Sequence, residues 1–233
     1  MIINIMETNT LIDFHAHILP GMDHGCDDVA MSIEQLRMAA DHNIEIVIAT
    51  SHFYPHRENV GDFLRRRRMA REQLEAAREG RYPSIRLGAE VLICNNIDKM
   101  MGIEELCIEN SRVLLIEMPF ARKWESGLIE TLVRLRDKNG LKVILAHGER
   151  YPIKELEKLL RSGFRTQVNV SSIKCFYTRY VVKKWIKQNY VAAFGSDIHG
   201  LRNYYREYVG CMKKLGPLAT KVLEEALILL EEK

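Results

Sequence analysis

The chain has 233 residues, 47% of them hydrophobic, enough to bury one large core, and no stretch rich in Pro, Gly and Ser divides it. A single domain over residues 1–233 is therefore expected. The 34 basic and 31 acidic residues are interspersed and leave a formal charge of +3, which excludes the long-range field of a nucleic-acid or membrane-surface binder.

The N-terminal stretch lacks a basic region followed by a long apolar run, and no segment approaches the roughly 20 apolar residues that a membrane-spanning helix needs. Cys26, Cys94, Cys107, Cys175 and Cys211 are scattered, odd in number and without a CxxC pair. That argues against a disulfide framework and against a thiolate zinc site. The expectation is a cytoplasmic protein, not inserted in a membrane, with reduced cysteines.

In chain order, apolar β-branched runs at 11–14, 44–50, 85–89, 113–117, 141–146, 164–170 and 191–195 predict seven strands. Helical patterns with recognisable stops lie between most of them: 28–42 before Asn43, 126–139 before Gly140, and 153–162 before Gly163. The helix after Gly61 carries Arg65, Arg66, Arg67, Arg68 and Arg71 interleaved with Glu72, Glu75 and Glu79. This is the pattern of a solvated face rather than of a phosphate or nucleic-acid patch. In the tail, 221–233, Val222, Leu223, Ala226, Leu227, Leu229 and Leu230 recur at helical spacing and suit packing on the core, with a second subunit of a homo-oligomer as the alternative.

Alternating strand and helix predicts parallel strands with helical crossovers, and no GxGxxG turn supports a dinucleotide-binding sheet. The expected fold class is α/β, a distorted TIM-like barrel of (βα)7 type. Its functional groups would sit at the C-terminal strand ends, where distant loops converge on one mouth.

Those strand ends carry a consistent chemistry. His15 and His17 flank Ala16 beyond the first strand, and an i, i+2 spacing in extended chain sends both imidazoles to one side. Asp197 and His199 repeat the arrangement after the last strand. His52, Glu90, Glu117 and His147 follow strands two to five. Any one of them alone would more often be structural. Together they exceed the needs of one ion and would repel one another without cations between them, which implies two or three metals. Imidazole with carboxylate and no thiolate suits manganese, iron or zinc better than calcium.

The motifs FHAH, ATSH, GAE, LIEM, LAHGERY and GSDIH, in that order, resemble those of the PHP superfamily of phosphoesterases across nearly the whole chain. More particularly, HILPGMDHG, ATSHFYP and AHGERY are similar to strings in the bacterial manganese-dependent protein-tyrosine phosphatases of capsule and exopolysaccharide operons. The resemblance implies a trinuclear centre, with manganese the first choice of metal. In it His15, His17, Glu90 and Asp197 surround one ion, and Glu90 bridges to a second held by Glu117 and His147. His52, His199 and a residue of the HILPGMDHG loop hold the third. Relatives read DDG in that loop, and the second Asp is the ligand; here Asp23 is followed by His24, so His24 is the expected substitute. Exchanging carboxylate for imidazole would leave the cluster more positive.

Arg150, three residues beyond His147, is placed to clamp a phosphoryl group bidentately, against the alternative of a surface salt bridge with Glu149. Arg202 is a displaced match to a second family arginine. Phe53 and Tyr54 are candidates for an aromatic wall at the mouth, or ordinary loop packing. His42 should complement a helix dipole, and His56 has no assigned role. No cysteine is followed six positions later by an arginine, so the nucleophile should be metal-activated water. The implied substrate is a phosphotyrosine protein, the tail of a bacterial tyrosine kinase that controls polysaccharide export. A small-molecule phosphatase, such as a histidinol-phosphate phosphatase, and a non-catalytic binding module are the competing readings, with a nuclease weaker for want of a basic groove.

Overall fold

The computed structural model describes residues 10–201 and 204–231. Nine strands are parallel to their neighbours, in a three-stranded sheet β1 (Leu11–Ala16), β2 (Ile44–Ala49), β4 (Ser84–Leu87) and a six-stranded sheet β3 (His52–Phe53), β5 (Glu90–Leu92), β6 (Val113–Glu117), β7 (Lys142–Leu145), β8 (Arg165–Asn169), β9 (Val191–Gly195). The two sheets are linked by backbone bonds. β2 runs on into β3 and β4 into β5, with Gly88 N donating to Ala49 O at 2.9 Å and Glu90 N to Ser51 O at 3.1 Å across the breaks. At the other edge, Ala16 bridges Ile198, and Asp197 N donates to His15 O at 2.7 Å. The seven expected strands thus stand in a hydrogen-bonded circuit, two of them interrupted in the middle.

Helices α1 (Val29–Asp41), α2 (Val60–Ala77), α3 (Ser126–Asp137), α4 (Ile153–Arg161) and α5 (Phe176–Lys187) cross between strands, and α6 (Tyr204–Leu215) and α7 (Pro217–Glu231) follow β9. Their ends follow from local chemistry. Asp28 caps α1 by accepting from Met31 N at 2.8 Å, and the His42 ring hydrogen-bonds Met38 O at the far end. Gly140 and Gly163 take positive φ where the helices were expected to stop.

Arg65, Arg66 and Arg68 of α2 are exposed, as a solvated face requires, but Arg67 and Arg71 turn inward. Arg67 is buried and donates to Gly88 O at 2.9 Å and Glu105 O at 3.2 Å, while Arg71 donates to Ile85 O at 3.0 Å. They satisfy carbonyls of β4, of the break at Gly88 and of the turn at Glu105, partners distant in sequence that helical spacing of charge did not reveal. Ala226 and Leu230 of α7 pack with Ile12, Phe14, Val113, Leu115 and Ile144 of the strands, which gives the tail its place in the core.

Phe14 and Ala16 are i, i+2 on β1, yet Phe14 packs with the residues that receive α7 and Ala16 joins the larger cluster. The cause is a register shift: Asp13 pairs with Val47 but Ala16 with Ala49, three steps against two. A bulge of this kind re-aims side chains, here just where the first histidine pair begins.

Candidate metal centre

The ends of β1, β3, β5, β6, β7 and β9 bring their polar residues together. Three groups have ligand atoms within 4.8 Å of one another and could each hold an ion: His15, His17, Glu90 and Asp197; His52, Glu90 and Glu117; His17, His52 and His199. Glu90 is the hub. Its Oε2 lies 3.1 Å from His52 Nδ1, 3.2 Å from His15 Nε2 and 3.3 Å from His17 Nε2, and its Oε1 lies 2.9 Å from His147 Nε2. His147 Nε2 is also 3.7 Å from Glu117 Oε1. His52 and Glu90 are register partners on β3 and β5, so the parallel ladder itself sets them side by side.

A surrounding shell fixes the imidazoles. His15 Nδ1 meets Gln167 Oε1 at 3.1 Å, which turns Nε2 inward; Gln167 also accepts from His147 N at 2.7 Å and donates to Asn169 Oδ1 at 2.8 Å. Asn169 in turn donates to Asp197 Oδ2 at 2.9 Å. His17 Nδ1 meets Asp23 Oδ2 at 2.8 Å, and the same oxygen accepts from His52 N at 2.9 Å. Buried Asp13 accepts from Ser196 N at 2.7 Å and from Tyr205 Oη at 2.9 Å, tying β1 to the turn that carries Asp197. Such partners set tautomer and orientation in metal sites. Sequence reasoning passed over Asp13, Gln167 and Asn169. The signal was present but weak: Gln167 and Asn169 share one side, at i, i+2, of a strand whose sequence RTQVN is mostly polar.

The backbone is shaped to the same end. His147 and Asp197 have φ of +34° and +52°, a region that non-glycine residues seldom occupy and that clusters at functional sites. Gly25 and Gly195 let chain pass against the histidine pair, since a Cβ at either would stand 2.3 Å from His17 Cβ or 2.5 Å from His15 Cβ.

Burial and charge pull against each other here. Burial opposes charge on His15, yet the Glu90 and Asp197 carboxylates raise its pKa to about 9. Burial likewise works against ionised Glu90 and Asp197, and the imidazoles hold both well below the carboxylate range. Burial and then Glu90 push Glu117 up to about 7, while burial brings His52 and His199 down to about 4. His52 Nδ1, Glu90 Oε2, His147 Nδ1 and His199 Nε2 are buried without a hydrogen-bond partner. Orphaned lone pairs on a cluster of imidazoles and carboxylates fit divalent transition metals, which would satisfy the donors facing inward.

The remaining candidates divide. Arg150 sits at the rim, its side chain 46% exposed, with Nη2 2.7 Å from Asp197 Oδ2; its partner is Asp197 and not Glu149. His24 is exposed, its ring 4.3 Å from that of His199 and 5.0 Å from that of His52, and it belongs to none of the three donor groups. Tyr54 stacks on His52 at 5.1 Å, with the Arg57 guanidinium 4.6 Å above its ring. These residues, with Met22, Asp23, Glu58 and Arg66, line a cavity of about 590 Å³ beside the cluster. Phe53 is fully buried, edge-on to Phe63 at 5.3 Å, so it belongs to the core and offers no wall at the mouth. Alternation along the two-residue strand β3 turns it away from the side that His52 faces. Arg202 lies outside the described residues. His56 neighbours Tyr54 at 5.9 Å.

The family model for capsular polysaccharide synthesis, CpsB/CapC, matches residues 11–227. The chain belongs to the CpsB/CapC family. Among curated CpsB/CapC relatives, the tyrosine-protein phosphatase YwqE of Bacillus subtilis is 27% identical over 213 residues, covering 84% of this chain and 81% of YwqE. CapC of Staphylococcus aureus is 27% identical over 206 residues, covering 83% and 78%. A chain from the crystal structures of YwqE from Bacillus subtilis and CpsB from Streptococcus pneumoniae, metal-dependent tyrosine phosphatases, matches with a TM-score of 0.76 at 24% identity over 96% of both chains. A Xaa-Pro dipeptidase matches more distantly, with a TM-score of 0.53 at 11% identity over 95% of this chain and 75% of its own. The scaffold is thus shared with peptide hydrolysis, and the chemistry of the CpsB/CapC chain must be argued from its site.

Proposed function

We propose that this CpsB/CapC chain is a metal-dependent protein-tyrosine phosphatase that hydrolyses phosphotyrosine on a bacterial tyrosine kinase controlling polysaccharide synthesis. The observation that carries the reading is the set of three overlapping donor groups, two of which share Glu90, with His52 Nδ1 and Glu90 Oε2 buried without a hydrogen bond though only 3.1 Å apart. In this reading His15, His17, Glu90 and Asp197 hold one ion. Glu90, Glu117 and His147 hold a second, and His52, His199 and His24 a third, with manganese the favoured metal. When bound, such ions polarise phosphoryl oxygens and make a water acidic enough to serve as hydroxide near neutral pH.

The chain's own residues supply the rest. Arg150 stands at the rim with its guanidinium oriented by Asp197 and still half exposed, so its free N–H edge is available to phosphoryl oxygens. Charge moving toward the leaving oxygen would be neutralised there. The thiols of Cys26 and Cys107 are pushed up to about 12 by burial and make poor nucleophiles, and exposed Cys175, lowered by hydrogen bonding to Thr178, belongs to none of the three donor groups, which is consistent with attack by water. All five cysteines are free, as in a reducing cytoplasm, and no helix among the described residues is long and apolar enough to cross a membrane.

The test is a substrate panel. Manganese-loaded protein should release phosphate from a phosphotyrosine peptide in preference to histidinol phosphate, and thiol alkylation should leave that activity largely intact. A preference for histidinol phosphate would transfer the reading to a small-molecule phosphatase.

A further inference from the structure

We infer that Phe120 is the residue that recognises the aryl group of the substrate, an inference that rests on the phosphatase reading above and specifies the wall of its site. Phe120 lies three residues beyond Glu117 and is 65% exposed. An exposed phenyl ring on a protein surface is ordinary by itself. Its neighbours are what set this one apart. The ring lies nearly parallel to the His147 imidazole, 5.7 Å away at 15°, and 5.8 Å from the Tyr151 ring. His147 is the residue whose Nε2 reaches Glu90 at 2.9 Å, so Phe120 stands one ring away from the hub of the donor cluster. Among the described residues, the other large exposed aromatics, Phe176, Tyr177 and Tyr180, belong to α5.

The backbone that presents the ring is pinned on both sides. Met118 N donates to Tyr151 Oη at 2.9 Å, Trp124 Nε1 donates to Pro119 O at 2.9 Å, and Ala121 N donates to Pro119 O at 2.8 Å. Trp124 and Tyr151 are themselves buried and packed edge to face at 5.3 Å. An apolar ring is therefore held out at the mouth by a rigid loop rather than left there by a slack one. Such a fixed aromatic loses little entropy when a second ring packs against it. A phenyl group whose ester oxygen is bonded to phosphorus near Arg150 would pack on Phe120, and an alkyl ester would gain less from the same surface.

The experiment compares wild type with Phe120→Ala, Phe120→Leu and Phe120→Trp, each checked for metal content. The kcat/KM for a phosphotyrosine peptide is divided by that for β-glycerol phosphate. Binding of phenylphosphonate is likewise divided by that of methylphosphonate, by calorimetry. Both ratios should fall roughly five- to tenfold for Phe120→Ala, carried mainly by KM, fall less for Phe120→Leu, and return with Phe120→Trp. Equal losses on aryl and alkyl compounds would make Phe120 a prop for His147 and overturn the inference. So would unchanged ratios. Wild type without activity on either ester, yet still preferring phenylphosphonate through Phe120, would defeat the phosphatase reading and leave aryl recognition standing.

Discussion

Arg150 Nη2 lies 2.7 Å from Asp197 Oδ2, while the other oxygen of that carboxylate, Oδ1, faces His15 Nε2 at 3.6 Å and His17 Nε2 at 3.4 Å. One side chain thus joins the rim arginine to the donor cluster. Asn169 bonds the same oxygen as Arg150, so Asp197 keeps its place when the arginine is removed.

Arg150→Ala should therefore keep fold and metal content while turnover on a phosphotyrosine peptide drops by roughly a hundredfold or more, the scale of a lost transition-state donor. Arg150→Lys should recover little, because an ammonium cannot reproduce the paired donor geometry. Steady-state kinetics with metal analysis checks both variants. Normal rates in Arg150→Ala would return the residue to a plain salt bridge.

Glu90 and Gln167 should separate holding metal from orienting its holders. Glu90→Ala removes the hub of two donor groups and should lose both metal and activity. Gln167→Ala leaves every donor present but frees the His15 ring and the His147 amide. It should weaken metal affinity by about 10- to 100-fold, and excess metal should restore activity. Metal titration followed by elemental analysis distinguishes the two behaviours.

Loading the metal-free chain near neutral pH should release protons. His15, raised to about 9, holds one there, and Glu117, raised to about 7, holds part of another. Cations must displace both, so affinity should rise with pH toward about 9. Calorimetric titration in buffers of different ionisation heat should give on the order of one proton or more released at about pH 7, and fewer in Glu117→Gln. Heats independent of buffer would contradict this.

Glu149 offers a test of stability. It lies outside the donor groups, and burial pushes its pKa up to about 7 from an ordinary 4.5. Between those values the folded chain keeps a proton that the unfolded chain has released. The contribution is therefore complete below 4.5 and lost as pH rises through about 7. Glu149→Gln removes the titration. In melts of metal-free protein, its Tm relative to wild type should be higher at about pH 8 than at about pH 5. A constant difference would show that Glu149 does not titrate as stated.

The seven strands and the donors at their ends could be read from sequence because both announce themselves locally, by apolar runs and by the residue that follows each run. His15, His17, His52, Glu90, Glu117, His147, Asp197 and His199 all lie near one another for that reason. What failed to show were side chains whose meaning depends on a distant partner. Gln167 matters because His15 lies across the circuit, 152 positions away in sequence. Arg67 is buried against the carbonyls of Gly88 and Glu105, 21 and 38 positions away. Phe53 was expected at the mouth, whereas Phe120 carried no expectation. Position next to His52 suggested a wall, but strand alternation buries Phe53, and packing of Trp124 and Tyr151 under an adjacent loop exposes Phe120.

The central claim, that the Glu90-centred cluster is a metal site on which phosphotyrosine hydrolysis depends, is tested most directly by stripping the protein with a chelator and returning manganese stepwise. Phosphate release from a phosphotyrosine peptide and bound manganese are measured at every step. Activity should vanish on stripping and return as manganese binds, rising to a plateau at two or three ions per chain, the number the overlapping donor groups imply. Full activity in stripped protein, or manganese binding without any return of activity, would contradict the account.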